Sequence, residues 1–215
     1  MSDSAKVIPC DDPTSRPTRM FKWASKRCEK GNYQPSSTYT LAVSPDRLVS
    51  ILTCLLINPY PPSVGGEYVS TPLTEITTEQ LHYNFNIAFE ANFFAYRATI
   101  PYLLAQKHNT STWTLCTGAQ GETAFFPVPG MTQGALFTMG TAAARENEKT
   151  NVRFNEGYLC FRVEVDEQAE NHGVSSASEF AKVYENLLGD EGVMGARVTV
   201  REVGDIGRLV WQWKF

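Results

Sequence analysis

Residues 79–118 read EQLHYNFNIAFEANFFAYRATIPYLLAQKHNTSTWTLCTG and combine the pattern of a long amphipathic helix with that of a buried strand. We predict a helix from Glu79 to about Gln106, capped by Thr78 and kinked or restarted at Pro101. The run Thr112–Thr117 is β-branched and aromatic and stops at Gly118, which is typical of a strand in a parallel sheet. The apolar residues of the helix recur at spacings of three and four and define one face: Phe85, Phe89, Phe93, Tyr96 and Ile100.

The chain after this stretch alternates between helix and strand patterns. We predict a buried helix over about 130–146, a strand over 152–161, a helix opening at Ser176 and a strand over 197–203. A turn over 204–207 then leads into a last strand. This order predicts an α/β fold, with a mostly parallel sheet flanked by helices and an antiparallel hairpin at the C-terminus.

The last strand alternates with period two, so two sets of side chains point to opposite faces. We expect the aromatic set to pack on the sheet or on a neighbouring subunit, and a wall for a ligand is the less favoured alternative. The aromatic set is Trp211, Trp213 and Phe215, and the opposite set is Val210, Gln212 and Lys214.

Residues 1–45 differ from the rest of the chain. Prolines at 9, 13, 17, 35 and 45 forbid long regular elements, although a short helix over about 20–29 is possible. We therefore predict an irregular N-terminal arm over 1–45 and one α/β domain over 46–215.

Composition excludes several classes of protein. A formal net charge of −4 argues against nucleic-acid binding, which needs a basic surface. No apolar run approaches the roughly 20 residues of a membrane span, and the polar N-terminus does not resemble a signal peptide. The five cysteines are dispersed and free of C-x-x-C pairs, and the three histidines are isolated. We expect reduced thiols, no metal site and a cytoplasmic location.

Several of these runs resemble, in the same order, the second half of the short-chain dehydrogenase/reductase family. They are Arg97-Ala98 and Pro101 in the helix, the strand 112–118, the run 151–155 (NVRFN) and the strand 196–200. The amino-acid sequences of residues 95–104 and 133–137 are most similar to those of a divergent fungal branch of this family. The resemblance implies a partial Rossmann-like domain that forms a homodimer or homotetramer through the 79–106 helix.

The sequence departs from this family at its functional motifs. No glycine-rich turn for a dinucleotide follows a strand, and Gly31 is the only glycine before Gly65. The family's catalytic Asn, Ser, Tyr and Lys fall on residues that can neither donate a proton nor carry charge through a side chain: Ala88, Gly118, Met131 and Ala135. We therefore predict no cofactor, with NAD(P) expected only if the N-terminal part is truncated or binds it unconventionally.

Four polar residues remain as candidates for catalysis in the crevice at the carboxyl ends of the strands. Thr117 can substitute for the missing hydroxyl, and Asn92, one helical turn beyond Ala88, can present an amide. Glu122 is a candidate general acid, although a solvated loop carboxylate is the simpler interpretation. Tyr158 follows a strand and can donate a proton, but a core tyrosine is equally consistent with its position.

Three functions follow from this pattern. The first is a non-redox cyclase, isomerase or dehydratase of secondary-metabolite biosynthesis that binds a small apolar organic substrate. The second is an NAD(P)-dependent oxidoreductase with an unconventional or truncated cofactor site. The third is a catalytically inactive partner of an active homologue.

Overall fold

The structure is a computed structural model, and it describes residues 21–22, 39–43, 50–54, 68–109 and 111–215. Seven strands form one sheet in the order β1-β2-β3-β4-β5-β8-β9, and β6 and β7 pair separately. The strand bounds are β1 Phe21–Lys22, β2 Tyr39–Val43, β3 Ser50–Cys54, β4 Ser111–Gly118, β5 Val152–Leu159, β6 Val163–Glu164, β7 Ser175–Ser176, β8 Ala196–Val200 and β9 Trp211–Trp213.

The centre of the sheet is parallel and both its edges are antiparallel. Strands β3, β4, β5 and β8 run in the same direction, whereas β1 and β2 on one side and β9 on the other are antiparallel to their neighbours. The predicted α/β class, with its parallel sheet, flanking helices and C-terminal antiparallel pair, is confirmed. Strands β1 and β2 lie within residues 1–45, and the domain boundary at residue 45 stays a prediction.

Helices cover both faces of the central strands. Their bounds are α1 Thr78–Asn84, α2 Ala91–Gln106, α3 Gln120–Thr123, α4 Pro127–Asn147, α5 Asp166–His172 and α6 Ala177–Gly189. On one face, α2 and α4 enclose a core that includes Trp113, Leu136 and Phe154. On the other face, α6 packs through Val183 and Leu187 against β8. No helix in the described part of the chain is long and apolar enough to cross a bilayer.

The long predicted helix is present, but its hydrogen bonding changes along its length. Between α1 and α2 the chain forms a π-helical segment over Phe85–Glu90, and α2 continues through Pro101 to Gln106. The N-cap is Thr77, one residue earlier than predicted, since its side chain and that of Gln80 exchange hydrogen bonds with each other's backbone N–H.

Two features of the C-terminal part differ from expectation. Helix α5 and the β6–β7 pair had no counterpart in the predicted elements. The alternation of the last strand is present, but Trp211 and Trp213 are 37% and 58% exposed. Of the opposite set, the Lys214 side chain is only 4% exposed, whereas Val210 and Gln212 are exposed.

Candidate active site

The carboxyl ends of β4 and β5 bring polar side chains onto one face of the sheet. Thr117 pairs in register with Tyr158, two residues beyond the pair formed by Leu115 and Glu156. Glu156 is in turn the register partner of Arg197 on β8. Residues two apart on a strand share a face, so Thr117, Glu156, Tyr158 and Arg197 all lie beneath helix α4.

Glu122 completes the arrangement from the short helix α3, which follows β4 directly. Its Oε2 accepts a hydrogen bond of 2.8 Å from the Tyr158 hydroxyl, and its Oε1 accepts one of 2.8 Å from Nη1 of Arg197. The Glu122 side chain is 55% exposed, whereas Tyr158 is buried. One carboxylate at the solvent boundary is therefore held by two donors from inside the protein.

A second carboxylate, Glu156, lies wholly inside. Its Oε1 accepts a 2.5 Å hydrogen bond from the Thr117 hydroxyl, and its Oε2 accepts one of 3.1 Å from Nε of Arg197. The Nζ of Lys214 donates to the same Oε2. A buried carboxylate is stable only when such charge and hydrogen bonds compensate its lost hydration, and Glu156 has both kinds of partner.

The electrostatics of the network follow from burial and from these contacts. Burial raises the pKa of Tyr158 well above its usual range, and the hydrogen bond to Glu122 raises it further. For Arg197, burial lowers the pKa, but Glu156 and Glu122 together leave it raised. Burial lowers the pKa of Lys214, against the opposing effect of Glu156. Tyr158 therefore stays protonated near neutral pH and donates its hydroxyl hydrogen to Glu122.

Close packing of α3 against α4 holds Glu122 in place. A Cβ added at Gly121 would lie 2.3 Å from Cε2 of Phe137, and one at Gly130 would lie 3.0 Å from the Gln120 carbonyl oxygen. The ring of Phe137 also stacks on Arg197, whose guanidinium carbon is 4.4 Å from the ring centroid. Gly121 thus allows α3 to approach the phenyl ring that supports Arg197, and Gly130 allows α4 to approach the backbone of α3.

Asn92 stands apart from the other three predicted residues. It is buried, and its Nδ2 donates a 2.6 Å hydrogen bond to the carbonyl oxygen of Ala88 in the π-helical segment. Its Oδ1 has no hydrogen-bond partner among the described residues. The structure therefore joins Thr117, Glu122 and Tyr158 through one network and leaves Asn92 outside it.

Sequence reasoning missed three members of the network: Glu156, Arg197 and Lys214. All three lie on predicted strands, where the alternation gave no reason to expect a charged side chain inside. The one available signal was Glu156, an acid in a stretch otherwise suited to a buried strand.

The family resemblance implies NAD(P), and the described residues can be compared with what that cofactor needs. Met131 and Ala135 lie on α4, where the resemblance expects the Tyr and Lys that serve the substrate carbonyl and the ribose. The Thr117 hydroxyl is committed to Glu156. The loss of the family's Tyr and Lys at these positions, and with it the absence of a cofactor, stays a prediction. The segment expected to carry the glycine-rich turn lies mostly outside the described residues.

Comparison with known proteins gives one curated relative. No family model matches the chain. The chain is 48% identical over 157 residues to the short-chain dehydrogenase/reductase iacG of the fungus Pestalotiopsis fici. The match covers 71% of this chain and 63% of the relative, so the chain spans less than two thirds of that protein's length.

Solved structures agree on the fold. A short-chain dehydrogenase/reductase of the glucose/ribitol dehydrogenase type from Brucella melitensis is 19% identical, with a TM-score of 0.51 over 64% of this chain and 60% of that one. A short-chain dehydrogenase from Salmonella enterica serovar Typhi is 15% identical, with a TM-score of 0.54 over 63% and 59%. A 4-hydroxyisoleucine dehydrogenase complexed with NADH is 14% identical, with a TM-score of 0.53 over 63% and 64%.

Proposed function

Since this chain belongs to the short-chain dehydrogenase/reductase family, as a divergent member of fungal type, we propose that it is an enzyme of small-molecule metabolism that transfers protons rather than hydride. The observation that carries the proposal is Glu122, a half-exposed carboxylate held by Tyr158 and Arg197 at the carboxyl ends of the parallel strands. Open α/β folds bind their ligands at this edge of the sheet.

In this proposal Glu122 is a general base, which reverses the general-acid role that its sequence context suggested. Each carboxylate oxygen already accepts one hydrogen bond and has a further lone pair free for a substrate proton. Tyr158 and Arg197 are positioning residues that hold the carboxylate and stabilise its negative charge. Thr117 and Asn92 have no proposed contact with substrate, because Thr117 donates to Glu156 and Asn92 donates to the Ala88 carbonyl inside the protein.

The substrate we propose is a small organic molecule with a carbonyl group and a largely apolar body. Glu122 removes a proton from the carbon next to the carbonyl, and the electron pair then shifts a double bond, closes a ring or expels water. The proton passes to the product or to solvent, so no cofactor is consumed. Phe125, 74% exposed, follows the helix that carries Glu122, and Met131 on α4 is exposed as well. Both offer apolar surface to such a body.

The second candidate is an NAD(P)-dependent oxidoreductase. It is favoured by the similarity to a dehydrogenase complexed with NADH, which concerns the fold alone at 14% identity. Against it stand Met131 and Ala135 on α4, which supply neither the proton nor the charge that hydride transfer to a carbonyl needs.

Exposed aromatic residues on α2 support a homodimer or homotetramer, the assembly that the family resemblance implies. Phe93, Phe94 and Tyr102 are all exposed on this helix. Light scattering after size exclusion tests the proposal, and a monomer at micromolar concentration would contradict it. A stable complex formed only with an active homologue would favour the inactive-partner hypothesis.

The net charge of −4 and the dispersed cysteines support a cytoplasmic protein without a nucleic-acid or membrane partner.

The proposed chemistry can be tested without the natural substrate. We suggest 4-hydroxy-4-phenylbutan-2-one in D2O as a probe, with deuterium uptake next to the carbonyl and loss of water followed by NMR. The wild-type protein is expected to accelerate uptake, and Glu122→Gln to lower the rate on the order of 100-fold. Glu170→Gln, at an exposed carboxylate of α5, is the matched control and should keep the wild-type rate.

Two results would contradict the proposal. One is a probe left unchanged by the wild-type protein or processed equally by Glu122→Gln. The other is saturable binding of NADPH, followed by tryptophan fluorescence, together with oxidation of NADPH on a carbonyl substrate. The second result would establish the oxidoreductase instead.

A further inference from the structure

The second-to-last residue of the sequence, Lys214, lies inside the protein. Its backbone N–H donates a 3.0 Å hydrogen bond to the Gly195 carbonyl oxygen, which continues the pairing of β9 with the chain before β8. Its side chain passes Gly140 of α4, where an added Cβ would come within 3.4 Å of the Lys214 Nζ. The absence of a side chain at Gly140 leaves room for the lysine to reach Glu156.

The charges of the network balance only when Lys214 is counted. Glu122 and Glu156 supply two negative charges, and Arg197 and Lys214 supply two positive ones. Arg197 uses Nε on Glu156 and Nη1 on Glu122, so its single charge is shared between both carboxylates. Without Lys214, one guanidinium would have to compensate two acids, one of them fully buried.

We propose that Lys214 is a positioning residue of the Glu122 site and acts through Glu156 and Arg197. A nearby positive charge stabilises a buried carboxylate more than an exposed one. A cation that can reach both carboxylates therefore binds Glu156 in preference to Glu122. Lys214 meets this demand and leaves Arg197 able to hold Glu122. Its relevance to catalysis rests on the proposed function, whereas the charge coupling itself does not.

An ordinary anchoring role for Lys214 makes a different prediction. A lysine that only fastens the C-terminal strand would, when replaced, loosen Trp211 and Trp213 without affecting Glu122. Charge coupling predicts that replacement draws Arg197 inward to Glu156 and releases Glu122, which lies on another element.

The release of Glu122 can be measured by coupling its carboxyl group to glycine ethyl ester with a water-soluble carbodiimide, followed by peptide mass spectrometry. In Lys214→Met we expect coupling at Glu122 to rise about threefold, the order of effect for a partly exposed ion pair. Lys214→Gln can still donate to Glu156 but carries no charge, and it should give the same rise if Lys214→Met does not fold.

Three matched variants separate charge from packing. Lys214→Arg retains the charge and should couple at the wild-type level. Glu156→Gln combined with Lys214→Met removes both charges, so coupling at Glu122 should return to the wild-type level. Lys182→Met, at an exposed lysine of α6, should have no effect.

Unchanged coupling at Glu122 in both Lys214→Met and Lys214→Gln would overturn the proposal, as would failure of the double variant to restore it. No substrate takes part in this experiment. Its failure therefore leaves the proton-transfer proposal intact, and failure of the deuterium-exchange assay leaves the charge coupling intact.

Discussion

Replacing Gly121 by alanine tests whether the packing of α3 on α4 supports the candidate site. The new Cβ would lie 2.3 Å and 2.5 Å from Cε2 and Cζ of Phe137, and 3.0 Å from Cβ of Gln133. Ordinary contact would require the ring to move by about 1 Å. The ring cannot move freely, because Arg197 stacks on it and the Tyr158 ring lies 5.9 Å from its centroid.

Overpacking of this kind costs about 1–3 kcal/mol. In a protein of this size each kcal/mol lowers the melting temperature by about 2–4 °C, so a cost of about 2 kcal/mol gives a drop of about 4–8 °C. Thermal unfolding followed by circular dichroism measures it. Gly134→Ala is the matched control, since an added Cβ on the same helix α4 meets nothing within 4 Å. Its expected effect is a gain of about 0.5–1 kcal/mol from helix propensity.

A second substitution distinguishes the ring contact from a general intolerance of alanine at position 121. Phe137→Leu shortens the side chain that the new Cβ would meet, so Gly121→Ala should cost less in that background than in the wild type. The reasoning fails if Gly121→Ala melts at or above the wild-type temperature, or if its cost is the same in both backgrounds.

Three further predictions concern single side chains. Tyr158→Phe removes one donor from Glu122 and should lower the free energy of unfolding by about 1 kcal/mol, measured by urea denaturation. The hydrogen bond with His172, more than any other contact, lowers the pKa of Glu164 below its ordinary 4.5. The ionised carboxylate therefore stabilises the fold fully above pH 4.5, and this stabilisation is lost as the pH falls through the lowered pKa. The loss of melting temperature in Glu164→Gln should thus be larger at pH 7 than at pH 3.5. Trp113→Ala empties a fully buried site and should cost about 3–5 kcal/mol in urea denaturation.

The regular elements could be predicted from the sequence because their signals are local. The helix predicted over 79–106 begins at Thr78 and ends at Gln106. Its presence could be read from the repeat of apolar residues at spacings of three and four, which depends only on neighbouring residues. The π-helical segment Phe85–Glu90 could not be predicted, because the choice between i+4 and i+5 hydrogen bonds depends on contacts with other elements, α4 among them.

Part of the candidate site followed from a general rule. Ligand sites of open α/β folds lie at the carboxyl ends of the strands, and Thr117, Glu122 and Tyr158 come together there. Glu156 and Arg197 were missed because the partners that permit their burial are distant in sequence. Arg197 lies 41 residues from Glu156, and Lys214 lies 58 residues from it.

The C-terminal strand shows most clearly what each level of structure decides. The sequence by itself determined the alternation, because successive side chains of a strand point to opposite faces whatever surrounds them. Hydrophobicity favoured burial of Trp211 and Trp213, yet in the tertiary structure it is the Lys214 side chain that is buried. The physical reason is that a buried carboxylate without a counter-charge is costly, so the Lys214 side chain is held next to Glu156. The sequence does not reveal this requirement, because Glu156 becomes buried only when β5 pairs with β8 in the tertiary structure.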